Sequence, residues 1–334
     1  MKFVQSINSS LDSLLKDHKE IILYGEDLQD PYGGAFKVTK GLSTKYPKRV
    51  LSTPISEATL IGMAGGMAIG GIRPIVEIMF GDFITLGLDQ LLNHLVKYEW
   101  MYNEKVNVPV TIRTTMGGRR GYGPTHSQSL EPILASIPGL KIISPTHFHN
   151  PGEILRHTAL NESGTKIFIE YKMNYPKDLI SESNCKDGLS LKYSTGHYPV
   201  VSISNSEFED PEVLIISHGG NAILIEELLI DLLLEYELPV QANFPSLIKP
   251  LLFDEFFFGY ENCELIIIME ESPKNFGWGN EIVAHITESG LAEGRKVIRI
   301  GADELPIPSS KFLEKKILPG NRQIIEIICS TGLI

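Results

Sequence analysis

The feature that most constrains this chain is an alternation of short, apolar, β-branched runs with segments of helical periodicity. In the first half of the chain the runs are IILYG from Ile21, RPIVEIMF from Arg73, VPVTIRT from Val108, LKIISP from Leu140 and KIFIEY from Lys166. Strands that alternate with helices form parallel sheets covered by helices, so this pattern predicts an α/β fold.

The same alternation of apolar runs and helical segments recurs in the last third of the chain. It comprises VLIISHGG from Val213, a helical pattern from Ile223 to Leu238, CELIIIMEE from Cys263 and KVIRIG from Lys296. Between the two series the periodicity stops and Ser, Asn, Asp, Gly and Pro accumulate, as in a connecting segment. We therefore predict two three-layer α/β/α domains, residues 1–178 and 211–334, joined by a linker at residues 179–210, and 334 residues suffice for both.

Composition excludes several classes of function. The formal net charge of −11 repels phosphate backbones, which argues against a nucleic acid partner. Cys185, Cys263 and Cys329 lie too far apart for a Cys-x-x-Cys pair, which is typical of a reducing compartment. The first twenty residues lack the apolar core of a signal peptide, and nowhere do eighteen apolar residues run together. The expectation is a cytoplasmic protein with no membrane partner.

The stretch TPISEATLIGMAGGMAIGGIRP, residues 53–74, carries the most specific pattern. Gly62, Gly66 and Gly70 follow Glu57, and a four-residue spacing places the three glycines on nearly one face of a helix. Each glycine inside a helix costs about 0.8–1 kcal/mol relative to alanine, so the stripe indicates close approach of another element, such as a second helix. A packing face inside one domain, with Glu57 as an ordinary first-turn acid, explains the same residues.

Glu57 and the three glycines resemble the pyrimidine-side motif of thiamine-diphosphate enzymes. Further segments follow in the order and spacing of one group of these enzymes: YGEDLQDPYGGAFKVTKGL, RPIVEIMFGDF, LDQLLNH, GPTHSQSLE, PGLKIISP, IIIMEESPKNFGWGNEIVAHI and GADELPIPSSKFLEKKILP. Over nearly its whole length the chain resembles the beta subunit of the decarboxylating component of 2-oxo acid dehydrogenases, of the pyruvate, branched-chain or acetoin type. These proteins belong to the transketolase-like superfamily.

The resemblance implies a catalytic role for two residues. The equivalent of Glu57 hydrogen-bonds N1′ of the aminopyrimidine and favours the imino tautomer, which takes the proton from the thiazolium carbon that attacks the 2-oxo acid. Burial raises the pKa of a carboxylic acid, and a protonated acid suits this position. The resemblance places His126 beside the thiazolium, and it places Ile55, Met79 and Phe83 on the aminopyrimidine, with Phe83 as the stacking ring.

The resemblance also implies partners and ions. The chain has no Gly-Asp-Gly segment of the kind that holds Mg²⁺ and the diphosphate, so an alpha subunit would carry both, in a heterotetramer with thiamine diphosphate between the subunits. A lipoyl-bearing acyltransferase would take the acyl group. Potassium would be held by main-chain carbonyls near these residues: Val110, Ala159, Leu160, Glu162 and Gly164.

The leading hypothesis is therefore an oxidoreductase that decarboxylates a 2-oxo acid and passes the acyl group to lipoyl. Two alternatives stay open: the beta-like half of a split transketolase-type carboligase, and a non-catalytic partner that stabilises an alpha-like chain. Arg119 and Arg120 depart from the small residues usual in this loop. We interpret them as surface charges, and binding of a substrate carboxylate or of the diphosphate stays open as their alternative.

Overall fold

The fold is described from a computed structural model that covers residues 1–205, 210–257 and 263–334. The strands of the first domain are β1 (Ile21–Glu26), β2 (Val50–Thr53), β3 (Arg73–Ile78), β4 (Thr111–Met116), β5 (Lys141–Ile143) and β6 (Lys166–Tyr171). Its α-helices are α1 (Phe3–Asp17), α2 (Leu42–Lys45), α3 (Glu57–Ile69), α4 (Val96–Met101), α5 (Glu131–Ala135) and α6 (Pro151–Asn161). Gly81–Gly87 forms 3-10 turns, and Gln90–Leu95 forms a π-helical segment that leads into α4.

The rest of the chain continues the pattern. Its strands are β7 (Ser190–Tyr193), β8 (Val200–Ser204), β9 (Val213–Ser217), β10 (Val240–Pro245), β11 (Leu247–Lys249), β12 (Leu265–Pro273) and β13 (Lys296–Ala302). Its α-helices are α7 (Asn221–Tyr236), α8 (Phe253–Phe256), α9 (Gly279–Glu288), α10 (Lys311–Ile317) and α11 (Asn321–Thr331), and a short 3-10 turn lies at Glu182–Asn184. Within the described residues, no helix is both long enough and apolar enough to span a bilayer.

Two sheets organise these elements, and the predicted α/β class is confirmed. The first has the order β11-β5-β6-β4-β3-β1-β2 and is parallel except for β11. The second has the order β13-β12-β9-β10-β8-β7, with β8 and β7 antiparallel at one end. Successive side chains of each sheet enter apolar clusters on opposite faces, as in Ile75 and Val76 of β3, so helices cover both faces.

The boundaries differ from the predicted ones in two places. Strands β7 and β8 lie inside the segment predicted as a linker and extend the second sheet. They are short, and three of the four β7 side chains are exposed, so they lack the continuous apolar run that marks the central strands. Strand β11 comes from the second half of the chain but pairs with β5, where Leu247 lies opposite Ile143. The two halves of the chain thus share the first sheet.

Helices α1 and α6 cross closely on one face of the first sheet. The Ser10 hydroxyl donates a hydrogen bond to the Gly152 carbonyl over 2.7 Å. A Cβ atom at Gly152 would lie 2.4 Å from the Ser6 carbonyl oxygen, so only glycine permits this approach. This contact fixes how α1 and α6 pack together on that face of the first sheet.

A buried ion network links three strands in the middle of the first sheet. Arg113 on β4 donates two hydrogen bonds to the Glu170 carboxylate on β6, over 2.7 and 2.9 Å, and one to Glu77 on β3, over 2.7 Å. Tyr175 donates a further bond to Glu170 over 2.9 Å. The two carboxylates hold the pKa of Arg113 above its usual value, whereas burial raises the pKa of Glu170. The guanidinium thus ties β3, β4 and β6 together.

Arg113→Met is expected to lower the free energy of unfolding by about 3–5 kcal/mol, because Glu77 and Glu170 would remain buried without a neutralising charge. Arg322→Met is the control, since it removes an exposed ion pair with Glu326, which solvent screens. Urea denaturation followed by circular dichroism measures both variants. Equal unfolding free energies for the two variants would contradict a supporting role of the network.

Candidate active site

The residues predicted to bind a cofactor gather at one edge of the first sheet. Strands β1, β2 and β3 are parallel, so their carboxyl ends, at Glu26, Thr53 and Ile78, meet at the same edge. Ile55 and Glu57 follow β2 directly, and Met79 and Phe83 follow β3. Ligands of parallel α/β sheets bind outside this edge.

Glu57 is the first residue of α3 and is buried, with 4% of its surface exposed. A carboxylate in the first helical turn is stabilised by the helix dipole. Tyr24 on β1 donates a hydrogen bond from its hydroxyl to the Leu60 carbonyl over 2.8 Å and so fixes the first turn of α3 against the sheet. The carboxylate of Glu57 is thereby held at the sheet edge.

A second buried carboxylate, Glu26, lies at the end of β1 near Glu57. Burial raises the pKa of Glu26 to about 7, and the negative charge of Glu57 acts in the same direction. The main chain of Ser56 lowers this pKa, yet neither carboxylate oxygen makes a hydrogen bond of ordinary geometry to the described residues. Sequence reasoning missed Glu26. The sequence feature that could have indicated it is an acidic residue at the end of a buried apolar strand.

The three apolar residues predicted around the aminopyrimidine differ in their surroundings. Ile55 is 71% exposed, whereas Met79 and Phe83 are half-buried. The Phe83 ring meets the His126 ring edge-on, with 5.2 Å between centroids, and Phe80 meets the same imidazole at 4.6 Å. The structure therefore brings Phe83 and His126 together and leaves Ile55 at the surface.

His126 lies in a loop that main-chain and side-chain contacts hold on both sides. Its Nδ1 atom lies 3.0 Å from the Thr125 hydroxyl, and its carbonyl accepts a hydrogen bond from the Lys172 amino group over 3.0 Å. Burial lowers the pKa of Lys172 to about 8, although the nearby charges of Asp82 and Glu271 raise it. Lys172 follows β6, so the loop is anchored to the same sheet edge.

Asp82 joins the Phe83 segment to the His126 loop. Its Oδ1 atom accepts hydrogen bonds from the Gln128 side-chain amide over 2.8 Å and from the Gln128 main-chain amide over 3.3 Å. The side chain is buried, and Oδ2 has no hydrogen-bond partner among the described residues. Sequence reasoning assigned Asp82 no role and missed this positioning role.

The second domain holds the glycine-rich loop that precedes His126. Glu314 on α10, which is 1% exposed, accepts hydrogen bonds from the main-chain amides of Arg119 over 2.6 Å and Gly121 over 3.0 Å. Glu271 on β12 accepts the amide of Gly118. Two buried carboxylates from the other half of the chain thus position this loop.

The prediction that Arg119 and Arg120 are surface charges is wrong for Arg119. The Arg119 side chain is 11% exposed and donates to the Pro319 carbonyl over 2.6 Å and to Glu271 over 3.3 Å. Arg119 has a positive φ of 69°, and its partners lie about 150–200 residues away in sequence, which local pattern cannot indicate. Arg120 donates to the Lys172 carbonyl over 2.9 Å. Both guanidinium groups therefore donate hydrogen bonds within the chain.

The sequence led us to expect a potassium site, but no magnesium site, in this chain. The described residues contain no group of three or more His, Cys, Asp or Glu side chains that could hold a metal ion. The main-chain carbonyls expected to hold potassium do not fit that ion, because the Lys166 amino group donates to those of Glu162 and Gly164.

Comparisons with known proteins identify the relatives of the chain. The model of the transketolase pyrimidine-binding domain matches residues 1–177. The beta subunit of acetoin:2,6-dichlorophenolindophenol oxidoreductase from Bacillus subtilis is 31% identical, over 96% of this chain and 94% of that one. The beta subunit of the pyruvate dehydrogenase E1 component from Gracilaria tenuistipitata is 30% identical, over 97% of each. The chain belongs to the 2-oxo acid dehydrogenase beta-subunit family.

A solved structure extends the comparison to the fold of this beta-subunit family member. The chain described as "Split gene transketolase, inactive beta4 tetramer" matches with a TM-score of 0.73 over 99% of this chain and 98% of that chain. The two sequences are 14% identical, so this likeness concerns the fold alone. The resemblance drawn from the sequence motifs is confirmed by the family match and by the relatives.

Glu314→Gln tests the interdomain support of the loop. An amide can accept only one of the two main-chain hydrogen bonds, and a buried N–H without an acceptor costs about 1–3 kcal/mol. Hydrogen exchange of residues 117–126 is expected to accelerate about tenfold or more, read by mass spectrometry. Glu304→Gln, at an exposed position before α10, is the control. Equal exchange in the two variants would show that Glu314 does not position the loop.

Glu26→Gln tests the raised pKa of Glu26. The folded protein binds this proton more tightly than the unfolded chain, so the stability that it contributes is present at low pH. That stability is lost as pH rises from the ordinary glutamate pKa of about 4.3 to about 7. Relative to the wild type, the variant should gain stability over this window and stay level above it. Urea denaturation at several pH values measures this gain.

Glu153→Gln, at an exposed position on α6, should leave the pH profile unchanged and is the control for Glu26→Gln. Parallel profiles for Glu26→Gln and the wild type would mean that Glu26 titrates normally in the folded state.

Proposed function

We propose that this chain is the beta subunit of a thiamine-diphosphate-dependent 2-oxo acid dehydrogenase. In the proposed reaction a 2-oxo acid of the pyruvate or branched-chain type is decarboxylated and its acyl group is transferred reductively to lipoyl. The observation that carries the proposal is the position of Glu57. It is a buried carboxylate at the start of a helix, on the sheet edge from which Met79 and Phe83 emerge.

The residues present fit the pyrimidine half of the cofactor. Glu57 is a buried carboxylate at the sheet edge, and the half-buried side chains of Met79 and Phe83 offer apolar surface beside it. The exposed side chain of Ile55 adds further apolar surface in front of α3. When bound, thiamine diphosphate supplies the electron sink that decarboxylation needs.

Each residue has a separate task in the proposal. Glu57 holds a proton against a ring nitrogen of the pyrimidine and exchanges it, a task that suits a desolvated carboxylic acid. Phe83, Met79 and Ile55 pack on the ring and exclude water. His126, which contacts Phe83, moves protons at the reacting end, a task for which histidine is the usual side chain.

The proposal requires an alpha subunit, which would bind Mg²⁺ and the diphosphate in a heterotetramer. The exposed face of α3 supports this requirement. Gly66 is exposed, and a Cβ atom there would meet nothing within 4 Å, while the neighbouring Met63 is 43% exposed. Close packing inside the chain instead uses Gly65, where a Cβ atom would lie 3.1 Å from Leu95. The Gly66 side of α3 is thus the surface offered to the alpha subunit.

A lipoyl-bearing acyltransferase as acyl acceptor and a cytoplasmic location complete the proposal. The location is proposed on the wide spacing of the three cysteines, none of which forms a disulfide within the described ranges.

Glu57→Gln tests the proposal in the assembled complex. An amide cannot exchange the proton, so decarboxylation of the 2-oxo acid is expected to fall about 10²–10⁴-fold, the range for a lost acid–base group. Carbon dioxide release measures activity, and size-exclusion chromatography verifies that assembly persists. Glu288→Gln, at an exposed position on α9, is the control and should retain full activity. Near wild-type rates for Glu57→Gln in an intact complex would overturn the assignment.

Product analysis of the same complex separates the alternatives. Acyl-lipoamide with carbon dioxide supports the dehydrogenase, whereas an elongated ketose or hydroxyketone would indicate a split transketolase-type carboligase. An alpha subunit that turns over equally well without this chain would indicate a non-catalytic partner.

A further inference from the structure

A buried lysine at the start of β6 has its amino group enclosed by main-chain carbonyls of the loop between α6 and β6. Lys166, the first residue of β6, has no exposed surface. Its amino group donates hydrogen bonds to the Gly164 carbonyl over 3.0 Å and to the Glu162 carbonyl over 3.2 Å. A lysine is almost never fully buried unless its amino group is paired, so this position is specialised.

The neighbouring carbonyls are also engaged by groups of this chain. Arg73 on β3 donates from its guanidinium to the Ala159 carbonyl over 2.8 Å. The main-chain amide of Lys166 donates to the Val110 carbonyl over 2.9 Å. Four of the five carbonyls expected to coordinate potassium thus accept hydrogen bonds from the protein itself.

Charges around the Glu162 and Gly164 carbonyls disfavour a further cation. The positive charges of Arg73 and Lys141 lie near the Lys166 amino group, as do the negative charges of Glu162 and Glu99. The Glu162 carboxylate is already paired, because Lys141 donates to it and His157 lies 3.5 Å from it. A metal ion at the carbonyls would have to displace a fully buried amino group.

We propose that the side chains of Lys166 and Arg73 take the place of the potassium ion, so that this beta subunit folds without a bound monovalent metal ion. The covalently attached amino group orders the loop that leads into β6. An ion would have to bind from solution, whereas the lysine is present at a fixed ratio of one per chain. The inference concerns the fold of this chain and holds whatever reaction the complex catalyses.

The wild-type chain provides the first test. Thermal unfolding of the full chain is followed by circular dichroism in potassium, sodium and tetramethylammonium chloride at equal ionic strength. The proposal expects the same midpoint in all three salts. A saturable increase of the midpoint in potassium alone would overturn it.

Lys166→Met provides the second test, because methionine fills similar volume without a donor. In tetramethylammonium the variant should be destabilised, since two part-buried carbonyls lose their partner. Potassium should restore stability with saturation, by about a hundredfold in the folding equilibrium when its concentration is about 100 times its dissociation constant. Lys141→Met is the matched control, since Lys141 contacts the Glu162 carboxylate rather than the carbonyls, and it should show no response to potassium.

The outcomes of the second test separate clearly. A folded Lys166→Met variant that ignores potassium would overturn the proposal, because the carbonyls would then form no cation site for the lysine to replace. If Lys166→Met does not fold in any of the salts, the wild-type comparison decides alone. Equal midpoints support the proposal, and potassium-dependent midpoints refute it.

Discussion

The structure depends on one constraint at the centre of the first sheet, which is the buried guanidinium of Arg113 between two carboxylates. Residues Glu77 and Arg113 lie opposite each other across β3 and β4, and Glu170 lies opposite the residue two positions after Arg113 on β4. A one-residue slip of any of these strands would turn its charge to the other face, so the network fixes the register. The loops that carry Met79, Phe83 and Lys172 all leave from these strands, and the register therefore sets where they meet.

Contacts between loops then fix how the Phe83 and His126 segments lie at the sheet edge. Asp82 holds Gln128, and Lys172 holds the carbonyl of His126, so the Phe83 and His126 segments are held by hydrogen bonds as well as by ring contact. Glu314 and Glu271 reach the same loop from the second half of the chain. Since β11 also pairs with the first sheet, a displacement of either half would move the loop that presents His126.

Sequence patterns predicted most of the central strands because buried parallel strands read as continuous apolar runs. Runs beginning at Ile21, Arg73 and Val213 all became strands. The patterns missed β2, β7 and β11, which are short and lie at sheet edges, where half of the side chains need not be apolar. They also missed β8 and β10 inside the second sheet, and β10 reads VQANFP, in which polar residues interrupt the apolar run. At the site, residues near one another in sequence, such as Glu57 and Phe83, could be proposed from motifs. Glu314 could not, because its contact with Arg119 spans 195 residues and depends on how the two halves pack.

Charged residues inside otherwise apolar strands carry information that the apolar pattern discards. The run KIFIEY is fully buried, yet it contains Lys166 and Glu170. A buried charge is retained only where a partner compensates its desolvation, so each such residue by itself predicts a buried partner. Glu170 requires a buried cation, which is Arg113, and Lys166 requires a set of acceptors, which are carbonyls of the loop just before it. The two charged residues of this one strand thus indicate two features. Glu170 belongs to the ion network that fixes the sheet register, and Lys166 binds the loop carbonyls.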